Sequence, residues 1–137
     1  MPQFYMLSIL ANLAGSLTLA GDYLGEKIPW LAMFKSIREN RGARTVIGIC
    51  ALVIGVIKLF ALSPGERIII LGDLLPALAG MAVGTILLAE INQVHVDKAG
   101  ERIRRISKAA LSYRVPVAIT GIVVSFLHFL FPSLAVL

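Results

Sequence analysis

No Asp, Glu, Lys, Arg or His occurs in residues 1–21, 45–57 or 74–89, and residues 115–137 hold only His128. Stretches of that length without charge leave nothing with which a folded chain could cover itself in water. A single water-soluble domain is therefore excluded as an expectation. Cysteine is nearly absent as well: Cys50 stands alone, so an intrachain disulfide and a cysteine-built metal centre are both ruled out. Also missing are a P-loop, a Gly-x-Gly-x-x-Gly after a strand, a His-Glu-x-x-His pair and any plausible Ser/His/Asp set. Without such groups there is little to carry catalysis. The chain is not expected to be an enzyme, to bind a metal or to need a cofactor.

What is present is apolar. Of 137 residues, 58% are hydrophobic and 15% charged, with a mean hydropathy of +0.86. The uncharged stretches predict four spans near 4–24, 44–62, 68–90 and 115–135, each close to the ~20 residues that cross ~30 Å of hydrocarbon. The expected fold is all-α: one transmembrane domain over 1–137, built as an integral membrane four-helix bundle. The first stretch has no positive n-region and a long apolar run, so it reads as a retained span.

The net charge of +5 would suit nucleic acid, but its distribution points elsewhere. Lys27, Lys35, Arg38, Arg41 and Arg44 lie between the first two spans. Lys98, Arg102, Arg104, Arg105, Lys108 and Arg114 lie between the last two. Eleven of the thirteen basic residues are thus on one side. The asymmetry predicts a bacterial-type inner membrane with loops 1–2 and 3–4 cytoplasmic and both termini outside. The expected partners are the bilayer and its acidic headgroups, with no nucleic acid. Trp30, Arg38, Arg41, Arg104 and Arg105 are the headgroup candidates, on short interfacial helices within the two connectors.

Two internal resemblances suggest a duplicated helical hairpin with parallel repeats. LANLAG at 10–15 parallels LPALAG at 75–80, and RTVIGICALVIGVIK at 44–58 parallels RVPVAITGIVVSFLH at 114–128.

The polar residues inside the apolar stretches are the candidates for function. Lys58 precedes the Ser-Pro-Gly-Glu-Arg turn and Asp73 follows it, so antiparallel helices bring the two to nearly one height. Such a pair serves either as a latch between helices or as a site in which Asp73 handles a cation or proton and Lys58 is its counter-charge. His128 falls at the same depth and titrates near neutrality. Asn12 and Ser16 give the first span a polar face, along with Gly15, Asp22 and Glu26. Pro76 and the small-residue spacing of Gly80 and Gly84 mark the third span as a close-packing surface, as Gly15 does in the first. With small faces available, a homodimer or larger homo-oligomer is expected. The functional expectation is a small transporter or channel-like protein for a small ion or polar solute, along a path through Asp73, Lys58, His128, Asn12 and Ser16. The alternative is a structural or regulatory membrane module that binds a partner protein or lipid without transport.

Overall fold

The computed structural model describes residues 2–60, 70–91 and 100–131, leaving aside the side chains of Pro2, Phe4 and 70–73. The described residues are helical almost throughout: α1 (Pro2–Leu19), α2 (Gly21–Lys27), a 3-10 turn (Pro29–Leu31), α3 (Ala32–Glu39), α4 (Arg41–Phe60), α5 (Ile70–Ile91), α6 (Glu101–Ser112) and α7 (Arg114–Leu130). Helix α1 packs against α4, α5 and α7, and the pairing of α4 with α5 is the most extensive in the protein.

Directions follow from the contacts. Gly48 meets Leu87 while Gly55 meets Ala77, so α4 and α5 run antiparallel. Gly15 meets Val83 and Asn12 meets Pro76, so α1 and α5 run parallel. Ser16 meets Gly121 and Tyr5 meets His128, so α7 opposes α1. Any up-and-down arrangement has these directions, so they lend no weight to the proposed duplication.

Length and composition make Arg41–Phe60 and Leu74–Ile91 capable of crossing a membrane. Helices α6 and α7 pass together as a third candidate, bent by 55° where they join, and the apolar Tyr5–Leu19 is shorter. Two to three candidate spans thus stand where the uncharged stretches suggest four. The physical reason for the first is a break: the stretch 4–24 ends as α1 at Leu19, and Ala20 (φ −91°, ψ 6°) turns the chain into α2. A near-identical break at Tyr113 (φ −94°, ψ 7°) separates α6 from α7, upstream of Pro116, which sits within the first turn of α7. The fourth expected span agrees with α7 as far as Leu130, and 132–137 lie outside the described residues.

The packing is inverted relative to a protein in water. Val46, Ile49, Val53, Ile57 and Phe60 form an exposed stripe on α4, and Ile119, Val123, Phe126 and Leu130 form another on α7. Ser8, Asn12, Ser16, Lys58, Ser125 and His128 are buried. Apolar stripes of that length are stable facing hydrocarbon and costly facing water. Membrane association is the surrounding this surface suits.

Small residues set the helix spacing. A Cβ at Gly84 would fall 2.7 Å from both the Gly48 carbonyl oxygen and the Leu52 amide nitrogen, and one at Gly55 would fall 2.8 Å from the Ala77 carbonyl oxygen. Backbone lies against backbone at both places, so nothing can yield. Gly15 and Gly80 are likewise spent inside the chain, against Val83 and against Asn12 with Ala51. The small-residue faces expected to recruit a second copy are therefore occupied intramolecularly, which removes that argument for an oligomer. Gly84→Leu should force α4 from α5 and lower stability by ~3 kcal/mol or more, read as thermal unfolding in detergent. Unchanged melting would mean the helices are not in contact there.

Candidate functional site

Two buried polar clusters lie at opposite ends of α1, joined by its inward face. The first gathers where α1 begins and α4 and α7 end. Lys58, in the last turn of α4, is 8% exposed, and His128, in the last turn of α7, is 7% exposed. Lys58 Nζ lies 3.3 Å from His128 Nε2. For this to be a hydrogen bond one nitrogen must donate and the other accept; with the ammonium donating, His128 is neutral and carries its proton on Nδ1. Tyr5 completes the group. Its hydroxyl donates to the His128 carbonyl oxygen, its ring lies 4.5 Å from the imidazole at 45°, and Lys58 Nζ lies 5.8 Å from its centroid. That separation is within cation–π reach. Tyr5 carries no signal in the sequence beyond a phenol among apolar residues. Asp73 belongs to α5 by its backbone, but its side chain, and with it the expected pairing with Lys58, lies outside the described residues. His95 and Arg67 lie outside them too.

Along α1 the buried face continues through Ser8, Asn12 and Ser16. Ser8 Oγ donates to the Tyr5 carbonyl oxygen at 2.8 Å. Asn12 Nδ2 donates to the Pro76 carbonyl oxygen at 2.8 Å, an interhelical bond worth ~0.6–2 kcal/mol between helices in hydrocarbon. Its Oδ1 occupies the space that a side chain at residue 80 would need. Ser16 sits where a side chain at residue 121 would fall, and Ser125 Oγ donates to the Gly121 carbonyl oxygen at 2.7 Å. Ser16 Oγ and Thr18 Oγ1 have no hydrogen-bond partner among the described residues. From Tyr5 to Leu19 this face rises about 21 Å at ~1.5 Å per residue.

The second cluster closes the other end, and it corrects an expectation. Arg38 does not reach out to headgroups: it is 8% exposed and uses all three guanidinium nitrogens within the protein. Nε pairs with Asp22 Oδ2 at 3.0 Å, Nη2 with Glu90 Oε1 at 2.9 Å, and Nη1 donates to the carbonyl oxygen of Leu19, where α1 breaks. Glu90, its side chain only 5% exposed, also draws Arg44 (3.8 Å) and Arg114 (3.5 Å), and Arg114 reaches Asp22 at 3.7 Å. Three cations from the two connectors and helix ends thus converge on two carboxylates. A buried carboxylate and guanidinium tolerate loss of water because each satisfies the other through charge-assisted bonds. The helix order alone conceals this, since Asp22, Arg38 and Glu90 come from three separate elements. The remaining headgroup candidates, Trp30, Arg41, Arg104 and Arg105, are exposed, Trp30 by 74%. Arg105 pairs with Glu101 one turn earlier at 3.0 Å. Among the described residues no group of three or more His, Cys, Asp or Glu comes together as a metal site.

Replacing Glu90 by Leu would strand Arg38 without its buried counter-charge and should cost ~3–5 kcal/mol. Adding Arg38→Met to Glu90→Leu should recover a large part of that loss, because the two changes share one interaction. Thermal unfolding of the three variants in detergent measures this; simple additivity would show that the pair is not coupled.

No curated protein and no solved structure matches the chain. A family model covers residues 1–128, from α1 through the imidazole of the first cluster, and the chain belongs to that family, for which no function is established.

Proposed function

We propose that the chain is a small integral membrane protein that moves a small ion along the inward face of α1, and that the ion is the proton. In this reading α1, α4, α5 and α7 are four spans, the Arg38–Glu90 end faces the cytoplasm, and the Tyr5–Lys58–His128 end faces outside. The observation that carries it is the buried polar face Ser8, Asn12 and Ser16 of α1, which runs between the Tyr5–Lys58–His128 cluster and the Arg38–Glu90 cluster. Ionisable groups buried among membrane-spanning helices are costly, and ion pathways and proton relays are among the reasons they are kept.

The proton is favoured over a larger solute on steric grounds. Asn12 and Ser16 lie hard against Gly80 and Gly121, so a hydrated ion would have to part the helices. A proton needs only a chain of exchangeable groups and a few waters. Two nitrogens at 3.3 Å, Lys58 Nζ and His128 Nε2, supply a place where one proton passes between neighbours. Asp73 begins α5 at the end where Lys58 closes α4, and sequence register assigns it to the same working site as proton acceptor.

The same tight seam favours a second reading, a structural or regulatory module in which Asn12 and the charged clusters only lock helices. The test is proton flux into proteoliposomes under an imposed potential, followed with an entrapped pH-sensitive dye. The wild-type chain should raise flux above empty vesicles. Lys58→Met and Asp73→Asn should each reduce the protein-dependent part by ~10-fold or more, the scale of losing one essential transfer group. Flux at the level of empty vesicles would reject transport and leave the structural module; flux above that level but indifferent to both replacements in folded protein would reject Lys58 and Asp73 as its transfer groups.

A further inference from the structure

We infer that the hairpin of α2 and α3 is a cap over the inner end of the α1 face, with Arg38 as its principal fastening. The hairpin is self-contained. A Cβ at Gly21 would fall 2.8 Å from the Phe34 carbonyl oxygen, and one at Gly25 would fall 3.3 Å from the Ala32 Cα, so its two arms touch backbone to backbone. The Asp22–Arg38 ion pair, at 3.0 Å, also lies within it. One non-helical residue bounds it on each side: Ala20 before α2, and Asn40 (φ −78°, ψ 108°) after α3.

Among the described residues, its side-chain polar ties to the rest of the protein run through Arg38 and Asp22, beside the backbone bond from Leu24 N–H to the Ala20 carbonyl oxygen at 2.8 Å. Arg38 Nη1 binds the Leu19 carbonyl oxygen, Arg38 Nη2 binds Glu90, and Asp22 receives Arg114. Leu24 adds an apolar contact with the core around Leu19 and Ala20 and Leu31 is buried at 6% exposure, while Trp30 and Met33 face outward. A short element with few large buried apolar side chains, whose side-chain polar ties run through two charged residues, opens locally at lower cost than the helices of the core when those charges find other partners. Behind it are buried polar atoms with no hydrogen-bond partner among the described residues: Thr18 Oγ1, Arg44 Nε and Glu90 Oε2, the last with only its 3.8 Å ion contact to Arg44. With the cap in place the α1 face is sealed from the cytoplasm at Leu19. With it displaced, water reaches Thr18 and the foot of the polar face.

The role in flux rests on the pathway reading; the closure itself does not. The experiment therefore has two arms, both on the full chain in a Cys50→Ser background, because Cys50 is exposed. In the first, Ala20→Cys, beneath the cap at 1% exposure, is labelled with a membrane-impermeant maleimide in lipid nanodiscs. Ala51→Cys, fully buried between the helices, is the control. Arg38→Gln should speed labelling at position 20 by ~10-fold or more as the cap opens locally, and leave position 51 protected. Arg114→Gln, a half-exposed and more readily tolerated site, should act in the same direction and less strongly. Unchanged protection at position 20 in both variants, or joint exposure of positions 20 and 51, overturns the cap. In the second arm, flux into proteoliposomes should rise with Arg38→Gln. Faster labelling at position 20 without any protein-dependent flux upholds the cap as a cover and rejects the proton pathway instead.

Discussion

A guanidinium withdrawn from water must place its N–H groups on acceptors, and Arg38 does so on three separate elements at once: the end of α1, Asp22 of α2 and Glu90 of α5. The rest of this end follows from that demand. Glu90 tolerates burial because it receives Arg38, Arg44 and Arg114. The broken turn after Leu19 tolerates burial because its carbonyl has a charged donor. Each group makes the others affordable, so the cluster is cooperative in the sense that losing one member leaves several uncompensated.

The opposite end obeys the same rule with weaker partners. Tyr5, Lys58 and His128 exchange two hydrogen bonds, a ring contact and a cation–π contact. These groups differ in kind from the guanidinium of the other end, which holds its charge throughout. Between the ends, small residues let backbones meet, at Gly84 with Gly48 and at Gly55 with Ala77. That closeness brings Asn12 within hydrogen-bond distance of the Pro76 carbonyl oxygen. A polar face inside an apolar exterior is thus held by contacts that leave little slack.

Much of the helical layout was legible from charge alone. The ends of α4 and α5 lie within a few residues of the uncharged stretches, because a charge near a helix end is tolerated where it reaches polar surroundings. The break near Tyr113 was legible in kind, since Pro116 marks a place where a cytoplasmic extension of the last span closes or kinks; the break at Ala20 was not, since a single following glycine is compatible with a continuous helix. The site was legible in pieces. Asn12 and Ser16 stood out as polar residues on one face of an apolar helix, and His128 as the lone titratable group in its stretch. Arg38 looked like its neighbours Lys35 and Arg41, one of a run of basic residues in a connector, and no spacing marks it for burial. Tyr5 was hidden for the converse reason, being apolar enough to pass as a span residue.

The one-dimensional order of charges determined that this chain is helical, largely apolar and asymmetric in its basic residues, because transfer of charge from water is costly whatever the fold. Which charges are buried together was decided only in three dimensions. The partners of Arg38 are 16 and 52 residues away in sequence, and those of Lys58 include a residue 70 positions on. Only the close approach of backbones at small residues sets which of them meet.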